Sequence, residues 1–471
     1  MTDDIFAAAT TAARAMEGAT ADDRARWLRA IADALDARTD ELVSLADSET
    51  HLGPARLTGE LARTTGQLRM FAAVVTEGSY LEATIDHAHA AATPPRPDLR
   101  RMLRPLGPVA VYAASNFPFA FSVAGGDTAS ALAVGCPVIV KAHPGHPELS
   151  RATAAIVTGA LARAGAPAGA FALVEGYDAG AALVQHPAIT AAAFTGSVAG
   201  GRALHDLAAA RPAPIPFFGE LGSINPVVVT RAADRARGEE LARGLAASFT
   251  LGAGQFCTKP GVVFVPEGST VERELASAEL PGARPMLTGP ITDGFAAGSR
   301  RLLGVPGVEL VAGSGGGGAL VVAASLETFD AHTEALLAEV FGPLTLLVRY
   351  GSDARLLAAL DRLEGSLTAT LHAEGTDDTE AILARLERTS GRVLFAGWPT
   401  GVAVTWAQHH GGPWPSTTSQ FTSVGATAVR RFLRPIAYQD APQRSLPLAL
   451  RDGNPLGIPR RLDGVLTAAP R

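Results

Sequence analysis

The chain has 471 residues, 47% of them hydrophobic and only 18% charged, with a formal net charge of −6. That length exceeds what one hydrophobic core supports, so two or three structural units are expected, yet no apolar run approaches the roughly 20 residues of a membrane span. Acids and arginines are mixed along the chain, which excludes the basic footprint of a nucleic-acid binder and favours small-molecule work.

The opening segment MTDDIFAAATTAARAM carries two aspartates and lacks a basic start followed by an apolar stretch, so no secretory leader is expected and the cytoplasm is the expected location. Residues 20–49 begin with Thr20-x-x-Asp23, a capping pattern, and place Trp27, Leu28, Ile31, Leu35 and Leu42 at helical spacing. A second helix is expected over 55–77. The segment AATPPRPDLRRMLRPLG (91–107) is rich in proline and arginine and reads as extended or looped and exposed. From 108, the runs VAVYA, PVIVK, FALVEG and AAAFTG alternate with alanine-rich stretches, the pattern of a parallel sheet built from βαβ units. After PVVV (226–229) the alternation resumes with helix 237–249, strand 261–265, helix 331–338, strand 344–349, helix 353–361 and helix 376–388, which predicts a second α/β unit. The run GSGGGG (313–318) lacks the Gly-Lys-Ser/Thr of a phosphate loop and reads as a surface turn.

Only two cysteines are present, too few for a disulfide framework or a thiolate metal cage. Cys136, in AVGCPVIVK, lies between a small-residue helix end and an apolar strand, the setting of an inert packed thiol. Cys257, in GAGQFCTKPG (252–261), sits in a glycine-rich polar segment where a substrate can reach it. Glu220, in FFGELGSINP (217–226), is poorly placed for solvation. Beside a thiol nucleophile it is a candidate base, with partial desolvation raising its pKa toward neutrality. Asn116, in YAASNFPF (112–119), follows a strand and precedes a proline turn, and its amide can donate to an oxyanion or cap a turn. Lys141 ends the strand PVIVK, where nucleotides bind in open α/β sheets. AFTGSVAGG (193–201) runs from strand to Gly-Ser turn to helix, so backbone N–H groups and the Ser197 hydroxyl can hold a pyrophosphate, although this is not G-x-G-x-x-G. Two rare residue types point the same way: of 40 basic residues only Lys141 and Lys259 are lysine, and asparagine occurs only at 116, 225 and 454. The pair His409-His410 reads as an exposed loop, since adjacent histidines rarely chelate one ion and no carboxylate cluster accompanies them; no metal site is expected.

Taken in order, SNFPF, PVIVKAHP, FTGSVAGG, ELGSINP, GAGQFCTKPG and EVFGP (339–343) resemble the aldehyde dehydrogenase superfamily over nearly the whole chain. The resemblance implies an α/β fold with a Rossmann-type cofactor domain, an α/β catalytic domain and a small oligomerisation arm. Its implied division is a dinucleotide-binding domain over 1–221 with an oligomerisation hairpin near 91–107, a catalytic domain over 222–408, and a segment 409–471 returning to the cofactor domain and arm. The family's nucleophile falls on Cys257, its water-activating glutamate on Glu220 and its oxyanion asparagine on Asn116. Lys141, Gly196 and Ser197 fall on the cofactor path, with Lys141 also grouped among the catalytic residues, and Glu339 corresponds to the glutamate that holds the nicotinamide ribose.

A narrower resemblance, to the 2,5-dioxopentanoate (α-ketoglutarate semialdehyde) dehydrogenase branch, lies in ARLTGELARTTGQLRMFA (55–72), FSVAGGDTASALAVGCP (121–137), HHGGPWPSTTS (409–419), TSVG (422–425) and RFLRPIAYQDAP (431–442). The reaction implied is oxidation of 2,5-dioxopentanoate to 2-oxoglutarate through a cysteine thioester. Alternatives are another semialdehyde or medium-chain aldehyde, a CoA-acylating enzyme, which Glu220 argues against, and a non-catalytic relative, which Cys257, Glu220 and Asn116 together argue against. The substrate carboxylate wants a cation, and Arg63 or Arg69 is a candidate, although for arginines so frequent a solvated helix face is the better single reading. Many NAD-preferring relatives have a glutamate three residues after the motif lysine, where this chain has Pro144. Without that carboxylate a 2′-phosphate meets no repulsion, and His143 or Lys141 can assist it, so NADP+ is favoured over NAD+. A homodimer or homotetramer is expected, with no nucleic-acid or membrane partner. The chain also looks shorter than most relatives between about 265 and 330, which suggests a trimmed catalytic domain.

Overall fold

The computed structural model describes residues 3–313 and 317–467. Four helices open the chain, Asp3–Met16, Ala21–Asp36, Thr39–Thr50 and Pro54–Glu77. The predicted capping box is formed: Asp23 N–H donates to Thr20 Oγ1 (3.1 Å) and Thr20 N–H to the Asp23 carboxylate (3.0 Å). The single helix expected over 20–49 is two, because the chain turns at Ala37 and Arg38 to carry Leu42, Val43 and Ala46 into the same core as Trp27, Leu28, Ile31 and Leu35.

The first parallel sheet runs, in spatial order, Phe171–Val174, Val138–Lys141, Val109–Tyr112, Ala191–Thr195 and Phe217–Glu220. Its strands are apolar without alternation because both faces are covered. Val109, Val111, Val138 and Val140 pack toward helices Gly126–Val134 and Pro147–Arg163 and the N-terminal helices, whereas Ala110, Tyr112 and Ile139 face helices Tyr177–Gln185 and Val198–Ala209. Each fully buried valine contributes about 1.5–3 kcal/mol of transfer free energy. Register sets Tyr112 opposite Lys141, Lys141 opposite Val174, and Thr195 opposite Glu220, so Lys141 and Glu220 share the carboxyl edge of one sheet.

The second sheet has seven strands in the order Glu309–Ala312, Leu320–Ser325, Leu344–Tyr350, Val262–Pro266, Val227–Val229, Ser366–His372 and Ser390–Phe395. All neighbours are parallel except the first pair. The expected second α/β unit is therefore present. The four strands not anticipated are 309–312, 320–325, 366–372 and 390–395; Ser366, Thr368 and Thr370 alternate through one and Ser390, Gly391 and Arg392 open another, so neither shows a continuous apolar run. Between 265 and 330 lie helices Thr270–Ala276 and Gly289–Leu303 and two of those strands; of the glycine run, residues 314–316 fall outside the described residues.

The segment 91–107 is only partly as expected. Leu99–Pro105 is a strand in a third sheet, paired with Leu433–Gln439 and Thr84–Asp86, followed by Arg460–Leu462 and Val465–Thr467. It is extended, but Arg100, Met102 and Leu103 are buried, since Arg100 spends its guanidinium on Asp98, Asp452 and the Leu450 carbonyl. No helix among the described residues is long and apolar enough to cross a membrane.

Candidate active site

Helix Arg231–Thr250 delivers the chain into a tight run in which Gly252 (φ 56°), Ala253 (φ 55°) and Gly254 (φ 67°) are all left-handed. Gly254 has no substitute: a Cβ there would collide with the backbone of Gly342, which approaches from the EVFGP segment. At Gly252 a Cβ would meet Arg56 Nη1 at 2.7 Å and the Phe256 ring at 2.8 Å. The Cys257 loop that follows is held from below by Asn225. Its Nδ2 donates to the carbonyls of Cys257 (2.8 Å) and Lys259 (3.0 Å). Its Oδ1 accepts from Ser223 Oγ, Thr368 N–H and Thr368 Oγ1. Lys259, 3% exposed, donates from Nζ to the carbonyls of Val340 (3.0 Å) and Leu344 (2.7 Å), tying the same loop to the Glu339 segment.

Cys257 is half-buried, whereas Cys136 is sealed in the core, where burial pushes its thiol up to about 11. Around Cys257 stand Glu220 and His410, with ligand atoms of all three within 4.8 Å of one another. His410 Nε2 lies 3.0 Å from Glu220 Oε1 and 3.7 Å from Cys257 Sγ. Ser423 Oγ donates to Glu220 Oε2 at 2.6 Å. Burial pushes Glu220 upward, but the His410 charge and the bonds from His410, Ser423 and Cys257 outweigh it, so the carboxyl is held below its ordinary range. The expectation that desolvation lifts Glu220 toward neutrality is thus corrected: its hydrogen bonds to the ionised form win. The thiol goes the other way, raised well above the ordinary cysteine value by burial, by the Glu220 charge and by Glu339.

His410 is a second correction. Expected on an exposed loop, it is 1% exposed, because Thr422 Oγ1 accepts its backbone N–H, its own carbonyl accepts from Ser423, and its ring packs against Phe121.

Asn116 is 8% exposed and donates from Nδ2 to the Gln255 carbonyl (3.0 Å), two residues before Cys257, leaving its second N–H uncommitted. Glu60, from helix Pro54–Glu77, accepts the N–H groups of Phe119 (2.8 Å) and Ala120 (3.0 Å) and so fixes the turn after Asn116. A cavity of about 230 Å³ opens onto Cys257, lined by Arg56, Arg63, Phe117, Phe121 and Phe256, with His410 at its wall.

On the opposite flank, Lys141 is half-buried, its stem against Gly180, and makes no ion pair among the described residues; it does not line the Cys257 cavity. Burial lowers its pKa. Gly196 donates its N–H to the Glu220 carbonyl (3.0 Å), and Ser197 caps helix Val198–Ala209 by accepting the Gly200 N–H (3.2 Å). That helix has no acid in its first turn, so its N-terminus keeps a positive end for an anion. His143 accepts the Gly145 N–H at Nδ1 (3.0 Å), and burial with neighbouring His146 and Lys141 pushes it down to about 3. Burial thus disfavours the charged form of His143, and Lys141 is the stronger cation of that pair. Glu339 is raised by burial, which outweighs the opposing Lys259 charge.

The family model described as "Aldehyde dehydrogenase family" matches residues 1–278. Alpha-ketoglutaric semialdehyde dehydrogenase 2 of Azospirillum brasilense is 49% identical over 457 residues, 94% of this chain and 87% of that protein. The chain belongs to the aldehyde dehydrogenase family. The alpha-ketoglutaric semialdehyde dehydrogenase of Acinetobacter baylyi is 44% identical over 464 residues, covering 95% of this chain and 88% of that protein. Among solved structures, aldehyde dehydrogenase 21 from Physcomitrella patens, in complex with the reaction product succinate, superposes with a TM-score of 0.79 at 21% identity, over 94% and 91% of the two chains, a likeness of fold. As a member of this family the protein is an oxidoreductase that couples aldehyde oxidation to NAD(P)+. Sequence reasoning did not assign His410, Ser423, Asn225, Lys259, Glu60 or Arg56 to this aldehyde dehydrogenase site, although Asn225 and Lys259 had already stood out as rare residue types.

Proposed function

We propose that this aldehyde dehydrogenase oxidises 2,5-dioxopentanoate to 2-oxoglutarate through a thioester on Cys257. The observation that carries the reading is that Cys257 lines a cavity beside Phe117 of the Asn116 turn, with the Glu220 carboxylate within 4.8 Å of its sulfur; the names of the two relatives support the substrate. The Cys257 thiol gives its proton to the ionised Glu220 carboxylate, with which it hydrogen-bonds, and Glu220 passes it to water as sulfur bonds to the aldehyde carbon. The developing oxyanion takes the free Asn116 N–H and the Cys257 backbone N–H. Loss of hydride from that carbon leaves the thioester. Glu220, ionised and held by Ser423 and His410, then accepts a proton from the attacking water, so it works by position and not by raised basicity.

The dinucleotide, when bound, supplies the hydride acceptor. Lys141, which makes no ion pair among the described residues, and the N-terminus of helix Val198–Ala209, which follows Gly196 and Ser197, suit its phosphates and ribose, and Glu339 a ribose hydroxyl. NADP+ is the favoured form, because exposed Pro144 stands where a repelling carboxylate is common. For the division into 1–221, 222–408 and 409–471, the first sheet lies within the first part and the second sheet within the second, while the third sheet joins strands of 1–221 and 409–471 and would serve assembly into a homodimer or homotetramer. The test is a kinetic comparison of 2,5-dioxopentanoate, succinate semialdehyde and medium-chain aldehydes with each cofactor. The reading expects the highest kcat/KM for 2,5-dioxopentanoate with NADP+; a preference for an uncharged aldehyde contradicts it.

A further inference from the structure

Helix Pro54–Glu77 presents Arg56, Glu60 and Arg63 at i, i+4 and i+7, one face, to the cavity above Cys257. Donor accounting separates these arginines from others near the site. Arg69 is spent on Asp33 and Asp36 at the surface, which bears out the solvated-face reading for that residue. Arg392 donates to the carbonyls of Pro399 and Gly401 and so holds the loop whose Thr400, Gly401 and Val402 line the cavity. Arg56 uses only Nη2, on the Asn116 carbonyl (2.6 Å), and stacks on Phe117 and Phe256. Arg63 stacks on Phe121 and makes no hydrogen bond or ion pair among the described residues. In both, Nη1 is buried without a partner. Glu60, the neighbouring acid, is engaged through Oε1 with two backbone N–H groups and lies beyond ion-pair distance of either.

Two guanidinium groups with buried, unsatisfied donors are costly to leave so, and they are fixed in orientation by aromatic faces. Resting on the proposed reaction, we infer that Arg63, with Arg56 beside it, binds the distal carboxylate of the substrate while its aldehyde carbon reaches Cys257. A planar carboxylate supplies a charged acceptor oxygen to Nη1 of each arginine, whereas an alcohol offers a single neutral oxygen and an alkyl terminus none. In 2,5-dioxopentanoate the two ends are four C–C bonds apart, roughly 5 Å when extended. FSVAGGD (121–127), which follows the NFP segment, carries no cation, so Arg56 and Arg63 are the arginines that line this cavity.

The test compares Arg63→Met, Arg63→Lys and Arg56→Met with two aldehydes of equal length, 5-oxopentanoate and pentanal. For Arg63→Met, kcat/KM for the acid falls on the order of a hundredfold, mainly through KM, while pentanal stays within about threefold; Arg63→Lys recovers part of the loss. Equal losses for both aldehydes, or an unchanged ratio, overturn the assignment. Because 5-oxopentanoate lacks the 2-oxo group, a wild-type enzyme indifferent to 2,5-dioxopentanoate but with this ratio still sensitive to Arg63 refutes the substrate and leaves the arginine assignment standing. Should the variants not fold, the wild-type protein answers alone: glutarate is expected to compete with aldehyde at least about tenfold better than neutral glutaramide, and equal inhibition refutes the clamp.

Discussion

Replacing Glu220 by Gln is expected to make the Cys257 thiol more acidic, an effect opposite to its effect on turnover. The carboxylate and Sγ lie within 4.8 Å. At an effective dielectric of about 20, a unit charge at that separation raises the energy of a thiolate by roughly 3.5 kcal/mol, adding to the larger effect of burial. His410 lies against both groups and offsets part of that field, so the thiol is expected to ionise at lower pH in the variant, while burial still holds it above its ordinary value. The sign follows from the direction of the shift: a thiol raised above its ordinary value yields thiolate only as pH climbs through the raised value, and lowering it moves the rise to lower pH. The assay is the rate of iodoacetamide alkylation against pH on protein without cofactor, with Cys257→Ser subtracting any contribution from buried Cys136. An alkylation profile that is unchanged, or displaced to higher pH, would falsify the electrostatic account of this pair.

Asn225→Ala removes two donors from the Cys257 loop and strands carbonyls of Cys257 and Lys259, so a loss of about 2–4 kcal/mol in stability is expected in denaturant titrations, with a drop in kcat. Full stability in that variant shows that water replaces the amide. Pro144→Glu is expected to move the ratio of kcat/KM for NADP+ over NAD+ at least about tenfold toward NAD+, through repulsion of a 2′-phosphate. A constant ratio in paired cofactor kinetics removes Pro144 from the argument.

The parallel sheets were legible because VAVY, VIVK and AAAFT are apolar without alternation and separated by helical spacing, which is what burial on both faces requires. Cys257, Glu220 and Asn116 stood out because each sits at a glycine or proline turn after a strand or helix. The third sheet was not legible. Its strands are as short as three residues and come from sequence positions as distant as Thr84 and Arg460, so no local period announces them. His410 was misplaced for a similar reason: a histidine pair followed by two glycines reads as loop, which it is, but only the fold brings that loop across Glu220. Arg63 illustrates the remaining limit. Its spacing on the helix is the same as that of a surface residue, and what distinguishes it from Arg69 is the absence of an acid within reach and the Phe121 face beneath it.

The central intermediate is an acyl group carried by the Cys257 sulfur. In rapid-quench mass spectrometry of the Glu220→Gln protein mixed with NADP+ and 2,5-dioxopentanoate, a burst of one reduced cofactor per site is expected, with the acyl mass retained on the peptide containing Cys257. Steady turnover without any such adduct, or unimpaired turnover by Cys257→Ser, contradicts it.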